Sequence, residues 1–369
     1  MSSVLQVARW RWIQIVSAGL LAVAVAVPSA AADRGASQAR AKAAERPAVT
    51  RAKAATPRNA RLSASQPATA RGVRESRVVV RGGKVVRTAY APRIVEAPPR
   101  MSIGQAIGLH LVDDPLDLRS SVAMVIDQQS GETLFSKNAE AVLPIASITK
   151  VMTAMIVLDA GLPLNEVLDI TEADRDTERH SGSRLPIGSR LTRAEMLQLA
   201  LMSSENRAAH ALGRNFPGGV RAFVAAMNAK ADAIGMSDSR FGDPTGLSSS
   251  NVSNARDLAR LVRAAHAYPL IRQYSTATEL NVDTGHRQVS FRSTNRLVDD
   301  ADWNIGLQKT GYISEAGKCL VMQAKVGGRA VIMVLLDATA TTARFSDAQR
   351  LRKWVEQMPR ESRTVAATS

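Results

Sequence analysis

The sequence is poor in the residues that staple a chain or hold a metal. Cys319 is the single cysteine in 369 residues, so no intrachain disulfide can form. It lies inside an apolar alternating stretch and reads as a small core hydrophobe. The five histidines, His110, His180, His210, His266 and His286, fall at no metal-ligand spacing, and neither a metal nor another cofactor is expected. Acidic residues are scarce in one region: residues 33–100 hold 16 Lys and Arg against four Asp and Glu, net +12 of the chain's +15. Residues 101–369 carry 30 basic and 29 acidic side chains, which excludes a nucleic-acid-binding face as the source of the high pI.

What is present at the N-terminus has the pattern of export. Arg9 and Arg11 precede an apolar run from Ile13 to Val27, then Pro28-Ser29-Ala30-Ala31-Ala32-Asp33. A basic start, a run too short to span a bilayer comfortably and small residues before an acid describe a secretory signal peptide over residues 1–32, and hence a periplasmic or otherwise exported protein. Residues 33–104, rich in Ala, Arg, Ser and Pro, are expected to be a disordered basic tether, suited to electrostatic contact with anionic lipid or wall polymer. A flexible tail is expected over 359–369, leaving 105–358 as the folded domain.

Within that domain, Ser121–Asp127, Gln128–Gly131 and Glu132–Ser136 read as strand, turn and returning strand. Leu191–Met202 reads as an amphipathic helix opened by a Thr192/Glu195 capping box. A second helix starts at Arg207, others cover Val220–Ile234 and the stretch opened by Asn254, and Phe241–Leu247 is a turn-rich loop. Trp303–Ile313, Cys319–Val326 and Ala330–Leu336 form a meander whose short connections force antiparallel pairing. A closing helix runs from about Asp347 to Met358. These elements make an α/β (α+β) domain on a five-stranded antiparallel sheet flanked by helices.

The stretch Pro144-Ile145-Ala146-Ser147-Ile148-Thr149-Lys150-Val151-Met152 carries the chemistry. Apolar residues at three- and four-residue spacing predict a buried helix beginning near Ser147, with Ser147 and Lys150 on one face. A hydroxyl becomes a nucleophile when a neighbour removes its proton, and burial plus a second cation lowers a lysine pKa enough to do so. The helix N-terminus supplies an N–H for a developing oxyanion. Two further signals follow in order: Ser204-Glu205-Asn206 at a helix-to-helix junction, and Lys309-Thr310-Gly311 on a strand, where glycine permits close approach of a ligand or another backbone.

This ordered triple, Ser147-x-x-Lys150, Ser204-x-Asn206 and Lys309-Thr310-Gly311, marks penicillin-binding proteins and class A β-lactamases. The segments Leu201–Ala209, Ala226–Lys230, Pro244–Leu247 and Gln308–Tyr312 resemble low-molecular-weight penicillin-binding proteins of the D-alanyl-D-alanine endopeptidase type, over about residues 105–358. The resemblance implies a β-lactamase/transpeptidase-like fold. It also implies that Ser147 attacks a D-alanine carbonyl, Lys150 takes its proton and Ser204 relays a proton to the leaving amine. Asn206 would orient Lys150 and the substrate, Lys309 and Thr310 would bind a carboxylate, and the N–H groups of Ser147 and Tyr312, the latter next to Gly311, would form the oxyanion hole. Peptidoglycan stem peptides and crosslinks are then the expected substrates and β-lactams covalent inhibitors. Carboxypeptidase relatives usually carry a second β-rich domain and an anchor helix, whereas 58 residues follow Gly311 here, which favours the endopeptidase. A β-lactamase would need a Glu-x-x-Leu-Asn pentapeptide after the second motif, and none occurs.

Overall fold

The computed structural model describes residues 101–359 except His286, and the backbone of two strands within 76–89. Residues 1–32, where a signal peptide is expected, most of the basic stretch and residues 360–369, where a flexible tail is expected, lie outside the described residues. The chain divides into two units, Met1–Arg93 and Ile94–Ser369. In the first, β1 (Ser76–Arg81) pairs antiparallel with β2 (Lys84–Ala89). Val78-Val79-Val80 and Val85-Val86, β-branched runs inside the segment expected to be a tether, favour strands at these positions.

In the second unit Ser102 is buried and caps a short helix, Ile103–Ala106, by accepting from the Gln105 N–H. β3 (Ser120–Asp127) and β4 (Thr133–Lys137) form the expected hairpin. The helices follow as α1 (Thr149–Asp159), α2 (Arg193–Met202), α3 (Asn206–Arg214), α4 (Gly219–Ala233), α5 (Ala255–Ala265) and α6 (Pro269–Thr276). A small hairpin, β5 (Glu279–Asp283) with β6 (Gln288–Arg292), precedes the meander β7 (Asn304–Ile313), β8 (Gly317–Val326) and β9 (Arg329–Ala338). The chain closes with α7 (Ala343–Gln357), which starts four residues before the sequence pattern suggests.

The sheet order is β7-β8-β9-β3-β4, antiparallel throughout, which is the expected five-stranded architecture. Both faces are covered, so the central strands read as continuous apolar runs. Alternate residues serve different layers. Val122, Met124, Ile126, Cys319 and Val321 face the helical layer of α1–α6, while Ala123, Val125, Leu320 and Met322 face α7 through Phe345, Leu351 and Val355. Cys319 is fully buried, and burial pushes its thiol up to about 12. α2 is less amphipathic than expected: Met196, Leu197, Leu199, Ala200, Leu201 and Met202 are all buried, because α1, α3 and α6 surround it. Its Thr192/Glu195 capping box is present. Among the described residues no helix is long and apolar enough to cross a membrane.

Candidate active site

α1 is the innermost helix, with every residue from Thr149 to Val157 buried. Ile145, Ile148, Val151, Met152 and Met155 anchor it on all sides, so its polar residues Thr149, Lys150 and Thr153 are taken into the core with it. A 3-10 turn, Ala146–Ile148, leads into the helix and places Ser147 at its mouth. Ala146 adopts a left-handed conformation, φ 48°, which a residue with a Cβ holds only when packing imposes it. Gly246 is pressed against that turn: a Cβ there would lie 2.0 Å from the Ala146 carbonyl oxygen.

Lys150 Nζ stands 2.9 Å from Ser147 Oγ, 2.7 Å from Asn206 Oδ1 and 2.6 Å from the Thr245 carbonyl oxygen. Burial lowers its pKa from 10.5 to about 7, against the opposing pull of Asp243 and Glu205. A neutral amine has two N–H groups and one lone pair. Asn206 Oδ1 and the Thr245 carbonyl can only accept, so they take the two protons, and the lone pair is left for the Ser147 hydroxyl. The second cation acts differently from the sequence expectation. Lys309 is itself driven well below its ordinary value, by burial first and then by Lys150 and Arg344, whereas no cation is among the causes at Lys150.

The other motifs reach the same place from separate elements. Ser204, between α2 and α3, is left-handed at φ 61° and accepts from Lys309 Nζ at 2.8 Å. Asn206 opens α3, one residue before the expected start. β7 is the edge strand of the sheet and passes beside the Ser147 turn. A Cβ on Gly311 would meet the Ile145 carbonyl oxygen at 2.9 Å and the Ser147 nitrogen at 3.2 Å, so only glycine lets the two backbones approach. Gln308 N–H points away from β8, toward Ser275 Oγ at 3.4 Å. The register is regular from Leu307 to Ile313, so Thr310 and Tyr312, two and four residues on, turn their N–H groups to the same outer side. The Tyr312 N–H therefore points to the outer edge of β7, while its side chain is exposed with Lys318 Nζ 3.1 Å from the ring centroid. Thr310 Oγ1 is hydrogen-bonded to Thr294 Oγ1 at 2.6 Å. The eight sequence-derived site residues thus gather around one cleft.

A model of the D-alanyl-D-alanine carboxypeptidase family matches residues 110–340. The chain belongs to this family. Within it, the chain is 52% identical over 242 residues to a D-alanyl-D-alanine endopeptidase of Pseudomonas aeruginosa, and 46% identical over 242 residues to one of Escherichia coli. Each alignment covers 65% of this chain and 78% of the relative. Family folds are matched by penicillin-binding protein D2 of Listeria monocytogenes in a cefotaxime-bound form, TM-score 0.59 at 30% identity over 65% of this chain and 98% of that one. The Streptomyces K15 DD-transpeptidase gives 0.61 at 27% identity over 66% and 98%.

Three groups beside Ser147 and Lys150 were not legible in the sequence. Thr245 acts through a main-chain carbonyl, which no side-chain pattern announces. Asp243 knots the loop that presents it, accepting from the N–H groups of Thr245 and Gly246 at 2.6 and 2.8 Å and from Asn251 Nδ2 at 2.5 Å. Arg344, buried under β7, donates to the Gly311 and Cys319 carbonyls at 3.0 and 3.2 Å. The Asp-Pro-Thr-Gly-Leu turn chemistry at 243–247 was the available signal for the first two.

Proposed function

We propose that the protein is a serine D-alanyl-D-alanine endopeptidase that cleaves D-alanyl crosslinks of peptidoglycan through an acyl-enzyme on Ser147. The observation that carries this is the Ser147–Lys150 contact of 2.9 Å with a lysine whose lone pair is left for the hydroxyl. Ser147 Oγ attacks the D-alanine carbonyl carbon and its proton passes to Lys150. The resulting oxyanion lies between the N–H groups of Ser147 and Tyr312. Collapse breaks the carbon–nitrogen bond, and the departing amine takes a proton by way of Ser204, leaving an ester on Ser147. Water then attacks that ester, giving its proton back through Lys150 and restoring the free hydroxyl.

Lys309 and Thr310 hold the carboxylate beside the scissile bond. Lys309 Nζ supplies a donor there beside Ser204 Oγ, and the Thr294 contact fixes the Thr310 hydroxyl. Asn206 orients Lys150 and the substrate amide. β-Lactams enter as covalent inhibitors, because the same serine opens their strained ring. Names of relatives support the endopeptidase reading at 46–52% identity. The second reading, a carboxypeptidase trimming stem peptides, is favoured by relatives of that name at 28–31% identity. Incubating the protein with purified crosslinked muropeptides distinguishes the two: dimers disappear under the first, and only terminal D-alanine is released from monomers under the second.

The wall substrate places the enzyme outside the cytoplasmic membrane, in agreement with the signal-peptide pattern of residues 1–32. The basic segment 33–100 gives it electrostatic contact with anionic wall or membrane. Binding of that segment to sacculi across a salt series tests the contact, and salt-insensitive binding or none would refute it.

A further inference from the structure

A primary amide has an accepting end and a donating end, and its neighbours alone decide which way it points. Asn206 lies between Lys150 Nζ, 2.7 Å from its Oδ1, and Ser181 Oγ, 3.2 Å from its Nδ2. The Ser181 hydroxyl has one proton, and it donates that proton to Asp176 Oδ2 at 2.6 Å. Asp176 accepts in all its other contacts too, from the N–H groups of Glu178, Arg179 and Ser181 at 3.0, 2.9 and 2.9 Å. Burial alone would raise its carboxyl, but the Ser181 hydroxyl and these N–H groups overcome burial and hold it below the usual range. With its proton committed to a carboxylate, Ser181 offers only lone pairs to Asn206. The amide nitrogen must then face Ser181, and the amide oxygen must face Lys150.

The loop that carries this pair is tied down on both sides. Arg179 Nε donates to the Leu247 carbonyl at 2.5 Å, and the Arg179 guanidinium pairs with Glu315 at 2.9 Å. We propose that Asp176, acting through Ser181, is a positioning residue of the catalytic centre. It fixes the direction of every hydrogen bond from this loop to the Ser147 hydroxyl, and so keeps the Lys150 lone pair on the nucleophile. The inference rests on Ser147 and Lys150 being the acylating pair.

Reversal of the amide would turn Nδ2 toward Lys150. It would then donate into the lone pair of the neutral amine and repel the ammonium. The first effect withdraws the base from Ser147 and lowers the acylation rate at its plateau. The second destabilises the protonated lysine and moves the acid limb of the rate profile to lower pH. The charged groups facing Lys150 are Glu205 from the α2–α3 junction, Asp243 from the 243–247 loop and Lys309 from β7. None of them is altered by substitution at 181 or 176.

The test is the second-order rate of acylation of the full chain by benzylpenicillin between pH 5 and 10. Ser181→Ala is expected to lower the plateau about tenfold, a fraction of what a general base contributes. Its acid limb is expected to move down by about half a pH unit, a modest change in the lysine's surroundings. Ser181→Thr restores both, since the hydroxyl returns, and Asp176→Asn behaves as Ser181→Ala. A Ser181→Ala protein whose labelled fraction falls while rate and limb stay at wild-type values overturns the proposal, as does failure of threonine to rescue. Should Asp176→Asn not fold, the alanine and threonine pair decides alone. Labelling retained by Ser147→Ala would instead refute the acylating pair itself.

Discussion

At the scale of single residues the decisive fact is a lysine made neutral by its surroundings. Lys150 titrates near 7, so penicillin acylation is expected to rise with pH through that value and to be largely lost at pH 5. A rate profile flat from pH 5 to 9 would contradict it. Ser147→Ala is expected to abolish both labelling and muropeptide cleavage, checked by fluorescent penicillin on a gel and by product chromatography. These two residues were legible because a nucleophile and its base must be side chains at fixed helical spacing. Thr245, Asp243 and Asp176 were not, since each acts through a backbone group or a neighbour, and such roles leave no residue type that chemistry demands.

Between elements, the site depends on how closely β7 and the 243–247 loop approach the Ser147 turn. Gly311→Ala would force apart two backbones that a Cβ meets at 2.9 Å, and is expected to cut acylation at least tenfold while far-ultraviolet dichroism is unchanged. Gly246→Ala is harsher, because the site combines φ 79° with a 2.0 Å clash against the Ala146 carbonyl. It is expected to lower the melting temperature as well as the rate. The sheet was legible for a related reason: β3, β8 and β9 are apolar runs bounded by Gly-rich turns. α6 was missed because only Ile271 and Ser275 of its eight residues are buried, too few to show a period. The β5–β6 hairpin is marked in the sequence by Leu280 and Val282 against Val289 and Phe291 across Thr284-Gly285, a pattern too short to fix a strand by itself.

For the molecule as a whole, burying the two lysines ties stability to pH. Lys150 binds its proton near 7 when folded and near 10.5 when unfolded, so the unfolded state holds the extra proton between those values. Stability therefore increases with pH across that window, and the penalty is fully present below about 7. Lys309 shifts in the same direction. Urea unfolding of wild type and Lys150→Met at pH 7 and pH 9 should show the wild type gaining on the order of 2 kcal/mol relative to the variant. An equal pH response in both would refute it. Lys150 faces Ser147 only because α1 is enclosed on all sides, so acylating power arises with the packed core and vanishes with it. A radiolabelled penicillin thus works as a census: moles of drug bound count the chains whose interior is intact.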